Sequence, residues 1–301
     1  MMNPETFKEI TGEEVTKNKS FKHDIGTFVD NSTDSIGGRN LEDIKNYTEK
    51  YMKLITKYYA ANKLKLNGGK TTYMIMGNET KRNKTLNIKV GDDHLKNDLS
   101  IKILGWWVTP DNKMTHHLNK IRGPIYKILS EMKPYLKLMT LKERKELIYS
   151  KALGIAKYGL SLYAGQTEEI KDKLTTIFMR GNRAAYGSPL PFDTKNEWIC
   201  RKISVKTPRQ MIVEASAKVM HSVINTQNPP QIFNMVTFPR NFRKSAKVSL
   251  ITAPRTQKCR RSLIYRSLKQ FNALPNELKY CHPKTLKKLI EKRKIREIPD
   301  D

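Results

Sequence analysis

Three thiols, Cys200, Cys259 and Cys281, are all that 301 residues contain. They are too few and too scattered for a disulfide framework. No two stand in the Cys-x-x-Cys spacing of most zinc sites, and Cys281-His282 offers only one end of a loose one. Long apolar runs are missing too. No stretch approaches the roughly 20 apolar residues of a membrane span. The opening "MMNPETFKEITGEEV" lacks the apolar core of a secretory signal. The expectation is a reducing, intracellular setting, nuclear or cytoplasmic, with no secretion and no membrane partner.

Negative charge is scarce as well. Against 57 lysines and arginines stand 29 acidic residues, a net charge of +28. The excess is uneven. Residues 1–40 carry five basic and seven acidic side chains, whereas residues 240–301 carry 18 basic and five acidic. So much unbalanced positive charge repels itself and favours a polyanionic partner, most often nucleic acid.

What is present reads as α+β, then helix. "IGTFV" (25–29) is short, apolar and β-prone, and "DNSTDSIGG" after it has turn chemistry. Asn40 predicts a helix N-cap, with Asp43 in the capping-box position. Apolar residues at 41, 44, 47, 51, 55 and 58 predict an amphipathic helix to Asn62. "KLKLNGGKTTYMIM" predicts strand, turn, strand, and "TLNIKV" and "SIKILGWWV" add two β-like runs. Residues 115–187 are helical in pattern, with stops at Gly123-Pro124, Pro134, Gly159 and Gly187-Ser188-Pro189. Thr167 is the expected cap of the last of these helices. A good helix follows at about 207–226, then a proline-containing basic stretch, then helical pieces at 258–273 and 284–296.

Some motifs are weaker than they look. "NGGKTT" (67–72) is no phosphate loop, because Leu64 stands where the first glycine belongs and a strand pattern follows. Lys70 then projects into solvent from a turn. His116-His117 suits a helix start, and Trp106-Trp107 suits core plus rim packing.

Four stretches in order carry a family likeness. They are "FVDNSTDS", "NKLKLNGGKTTYMIM", "IKILGWWV" and "QFNALPNELK". The first resembles the aromatic-Val/Ala-Asp-Asp palm signature of non-LTR retrotransposon reverse transcriptases. The second resembles the Leu-x-Leu-Asn-x-x-Lys-Thr element that follows it, and the third the Leu-Gly strand of the primer-grip hairpin. The fourth resembles a Trp-Asn-x-Leu-Pro element near the C-terminus, with Phe271 in place of Trp. The resemblance implies a palm remnant with a primer-grip-like hairpin over 1–110, a helical thumb over 111–187 and a basic, mostly helical connector over 188–301. It implies Asp30 as a Mg2+ ligand, Lys70 as a proton donor or charge stabiliser for pyrophosphate, and Ile103, Leu104 and Gly105 beside the primer grip. The basic patch supplies Arg243, Lys244, Lys258, Arg260, Arg261 and Arg266 as contacts to RNA, DNA or an RNA–DNA hybrid.

Two departures from the family pattern matter. Asn31 replaces the second catalytic carboxylate, and an amide brings an oxygen but no charge to a metal. The family also needs an upstream palm aspartate. Among Glu5, Glu9, Glu13, Glu14 and Asp24, none sits in a suitable strand. A productive two-metal site is therefore not expected from this chain. Three readings follow: a degenerate polymerase fragment, a nucleic-acid-binding module without chemistry, or half of a polymerase completed in trans by an upstream half. The strands at 25–29 and 71–76 are expected to need upstream partners or to expose an edge.

Overall fold

The computed structural model describes residues 22–28, 31–77, 79–91, 93–191, 193–238, 248–279, 281–282, 285–286 and 288–289. It divides into two units, Met1–His116 and His117–Asp301. Helices and short strands together give a mixed, α+β chain. Among the described residues no helix is long and apolar enough to cross a membrane.

In the first unit, β1 (Lys22–Phe28) pairs antiparallel with β2 (Asn31–Gly37), with Phe28 opposite Asn31. Two expectations change here. "NSTDSIG" is a strand rather than a loop, and β1 takes its partner from within the chain. Ladder hydrogen bonds to β1 outweigh the weak strand preference of Asn, Ser and Asp, because β propensity is set largely by neighbours. Helix α1 (Leu41–Ala61) starts at Asn40, whose side chain accepts from the Glu42 amide at 3.2 Å. Its buried face of Tyr51, Met52 and Ile55 meets Ile88, Val90 and Leu95 to form the core of this unit.

The strand–turn–strand expected at 63–76 does not form. Residues Gly68–Lys70 make one 3-10 turn, closed by the Asn67 side chain accepting from the Lys70 amide. Strand β3 (Thr72–Tyr73) is two residues long and pairs in parallel with β6 (Lys96–Asn97). The local cap at Asn67 competes with a ladder and wins. The Tyr73 hydroxyl fixes the next segment, donating to the Leu86 carbonyl at 2.5 Å and accepting from the Leu86 amide at 2.7 Å. After the short helix α2 (Glu79–Arg82) come two hairpins: β4 (Lys89–Val90) with β5 (Asp93–His94), and β7 (Ile101–Ile103) with β8 (Trp106–Val108).

Helix α3 (Thr115–Leu136) runs unbroken through Gly123-Pro124 and Pro134, where the sequence predicts stops. An interior proline costs about 3 kcal/mol, whereas each buried Ile or Leu contributes about 1.5–3 kcal/mol. Ile121, Ile125, Leu129 and Leu136 are all buried on this helix, so packing prevails. Helix α4 (Leu141–Lys151) opens with a capping box in which Thr140 and Glu143 bond reciprocally. After α5 (Leu153–Lys157) and a 3-10 helix (Leu160–Gly165) comes α6 (Glu168–Tyr186). Thr167 precedes it in extended backbone without a side-chain cap bond.

A helix with no sequence expectation, α7 (Asn196–Lys202), follows. Next is α8 (Pro208–Thr226), with a Thr207–Gln210 capping box and proline at its first turn. Then come α9 (Pro230–Phe233), the pair β9 (Val236–Thr237) and β10 (Ser249–Leu250), α10 (Gln257–Arg260), α11 (Leu263–Asn272) and α12 (Asn276–Lys279). The helical piece expected at 258–273 is thus broken at Arg261-Ser262. The 284–296 piece lies largely outside the described residues.

Residues 117–187 and those beyond 188 share the second unit. Ile148, Leu153, Tyr163, Leu174 and Phe178 are wholly buried in it, and Met220, Phe271 and Leu278 fill a core between α8, α11 and α12. Among the described residues, the side chains of Asn182, Ser216, His221 and Ser267 are wholly buried with them. Asn182 accepts from the Tyr149 hydroxyl at 2.9 Å and donates to the Cys200 sulfur at 3.5 Å, so one amide links α4, α6 and α7. Burial pushes the Cys200 thiol pKa up, which makes it a poor nucleophile.

Candidate nucleic-acid interface

The expected metal turn comes first. Asp30 lies outside the described residues. Asn31 is the first residue of β2, in register with Phe28. The next carboxylate along, Asp34, has a structural partner: it accepts from the Tyr51 hydroxyl at 3.1 Å, holding α1 onto β2. Burial first, and then the Asp34 carboxylate, raise the Tyr51 phenol pKa far above its ordinary value. Among the described residues no three His, Cys, Asp or Glu side chains group so as to hold a metal ion. The amide at position 31 offers a metal one carbonyl oxygen and no charge.

Lys70 is exposed at the end of its 3-10 turn. Gly68 in the same turn lies against Asp93, where a Cβ would come within 2.2 Å of a carboxylate oxygen. Ile103, Leu104 and Gly105 form the end of β7 and its two-residue turn, with Leu104 and Gly105 both at positive φ. That pair matches a tight hairpin turn. Trp106 beyond the turn is buried, and half-buried Trp107 meets the His116 ring edge-on at 5.8 Å. The two tryptophans thus divide into core and rim.

The C-terminal basic residues fall into three groups. Arg243 and Lys244 lie outside the described residues. Lys258 is on α10, and nothing is described of its side chain. Arg260 and Arg261 are exposed at the junction of α10 and α11, and Arg266 is half-buried on α11. The junction is fixed by caps: Thr256 accepts from the Cys259 amide, and Ser262 from the Tyr265 amide. It rests on Gly165. A Cβ there would lie 1.9 Å from the Arg261 carbonyl oxygen, so only glycine admits this close approach.

"FNALP" explains itself as packing. Phe271 and Leu274 are buried in the core. The Asn272 amide accepts from the Val248 N–H at 3.0 Å and donates to its C=O at 2.8 Å, replacing a missing strand partner. Pro275 leads into α12.

Electrostatics set the surface. Several carboxylates of the second unit have partners within the fold: Glu143 in its capping box, Glu214 on Lys206 at 2.5 Å, and Glu168 and Asp172 both on Arg209. Arg122, Lys133, Lys137, Lys142 and Arg201 are exposed. The sequence reading missed one cluster at the corner of α6 and α7. Trp198 meets Tyr186 edge-on at 5.7 Å, and the Lys202 ammonium lies 5.3 Å from the Trp198 ring centre. "KNEWICRK" carries the signal: an aromatic at helical spacing from Lys195, Arg201 and Lys202, opposite Ile199 and Cys200.

No family model, curated protein or solved structure matches the chain.

Proposed function

We propose that the chain is a segment of a non-LTR-type reverse transcriptase that binds nucleic acid through its helical, basic unit and does no chemistry by itself. In this reading the first unit is a palm remnant. The α3–α6 region is a thumb that follows a duplex backbone, and the remainder is a basic connector.

The observation that carries the proposal is the asymmetry of charge use in the second unit. Residues 117–301 hold 38 lysines and arginines against 14 acidic residues, several of the latter engaged by capping and ion pairs, and Arg122, Lys133, Lys137, Arg260 and Arg261 are exposed. A surface left cationic in this way supports contacts to phosphate oxygens, which hold a nucleic acid without reading its sequence. The substitution at Asn31 supports the non-catalytic half of the proposal, since one fewer carboxylate leaves a divalent metal under-neutralised.

The test is titration of a labelled RNA–DNA primer–template with the full chain across a salt series. The expected result is log affinity falling linearly with log salt, with a slope of about −0.9 per phosphate contacted. Arg260→Ala and Arg261→Ala should each reduce the slope by about one. Weak binding without salt dependence overturns the binding proposal. Primer extension with added Mg2+ overturns the non-catalytic one.

A further inference from the structure

We propose that the α6–α7 corner is a stacking site for an unpaired base of a single-stranded nucleic acid, with Trp198 and Tyr186 as its aromatic surface and Arg201 and Lys202 on the same helix for the flanking phosphates. The proposal rests on the nucleic-acid reading above and names which form of nucleic acid this corner takes.

The sequence places the residues. Ile199, Cys200 and Ile203 are buried, which fixes one side of α7 to the core. Helical spacing then turns Lys195, Trp198, Arg201 and Lys202 the other way, and all four are exposed. Trp198 is 37% exposed, the most accessible position for the largest apolar side chain on this helix. Glu197 is the single carboxylate within α7, against Arg201 and Lys202 in the helix and Lys195 just before it.

The corner is held in place before any ligand arrives. Arg183 donates to the Thr194 carbonyl at 3.1 Å and to the Pro191 carbonyl at 3.5 Å, pinning the segment that leads into α7. Arg144 reaches from α4 to donate to the Tyr186 carbonyl at 3.2 Å. Its path crosses Gly187, at φ +84, where a Cβ would stand 1.5 Å from the guanidinium. Glycine suits the left-handed backbone here, and a Cβ would displace the Arg144 guanidinium.

The Lys202 ammonium lies over the indole as an exposed cation–π contact. Such a contact is weaker than base–aromatic stacking. An incoming base can displace the ammonium from the ring and leave it to meet phosphate. A duplex keeps its bases stacked on each other and has no face to offer, so the site discriminates in favour of single strands.

The experiment compares three probes by fluorescence anisotropy on the full chain: a 12-nucleotide oligo(dT), a fully abasic strand of the same length and charge, and a 12-base-pair duplex. Trp198→Ala should weaken oligo(dT) binding by about 5- to 150-fold, the loss of one stacked base. It should leave the abasic strand and the duplex unchanged, which also shows that the variant is folded. Trp198→Phe should keep most of the oligo(dT) affinity, because a phenyl ring still stacks. Equal loss on all three probes, or no loss on oligo(dT), overturns the stacking site while the salt-dependent binding stands. A wild-type chain without salt-dependent binding to any probe overturns the nucleic-acid reading and this site with it.

Discussion

The two units of this chain are built to different standards. In the first, β3, β4, β5 and β6 are two residues each, and six buried residues make the core around one 21-residue helix. In the second, helices of 22, 19 and 19 residues bury Ile125, Phe178, Met220 and Phe271 almost completely. The first unit carries the stretches around Asn31 and Lys70, and the second carries most of the net positive charge. Two-residue strands have few ladder bonds and little area to bury, so side chains such as Tyr51 and Tyr73 supply the fastening. The second unit fastens itself through apolar area. In the proposed reading, the well-consolidated part of the molecule is the part that binds nucleic acid.

The contrast can be broken most strongly at Phe271. Replacing it by Ala should cost about 3–5 kcal/mol. Hydrogen exchange by segment should show Pro208–Thr226 losing protection while Leu41–Ala61 keeps its own. Loss in both would show the units to be one cooperative body.

Gly165→Ala comes next, at about 1–3 kcal/mol, since the Arg261 backbone must move away. Urea denaturation gives the cost, and a smaller salt slope for nucleic acid would show that Arg260 and Arg261 had been displaced. An unchanged midpoint would mean the close approach is not needed.

Tyr51→Phe should remove about 1 kcal/mol from the first unit alone, by deleting the bond to Asp34. Protection of Leu41–Ala61 reports it, and an effect confined to the second unit would contradict the assignment.

The smallest effect at neutral pH comes from His221, which is buried with its ring 6.3 Å from that of Phe271. Burial lowers its pKa, against an opposing pull from backbone groups of Leu278 and Cys281. The unfolded chain takes up this proton near about pH 6.5, and the folded chain only at lower pH. Stability from this group is therefore complete above that pH and is lost as pH falls below it. His221→Leu should flatten the acid side of a stability–pH curve measured by urea denaturation. An unchanged slope would assign the acid sensitivity elsewhere.

The long helices were legible because their signals are local. Asn40 marks a start, and apolar spacing of three and four marks the buried faces. The strands were less so. "NSTDSIG" reads as a loop until β1 lies beside it, and "TTYMIM" reads as a strand although only Thr72–Tyr73 finds a partner. The proline stops in α3 failed for a related reason, since a local penalty was set against burial that involves residues distant in sequence. Among the candidate residues, the β7–β8 hairpin around Leu104 and Gly105 agrees with the sequence reading. Trp198 was overlooked although its spacing was visible, because nothing in the sequence brings Tyr186 to it.

By itself the sequence determined the charge excess, the capped helix start at Asn40 and the amide at position 31, because composition and short-range spacing do not depend on what folds against them. Tertiary structure alone decided that Asp34 serves Tyr51, that "FNALP" is a packing element, that Gly165 carries the Arg261 backbone and that an indole stands exposed among cations. Each of those facts is a meeting of residues distant along the chain, and only burial and hydrogen bonding in the folded state select which meetings occur.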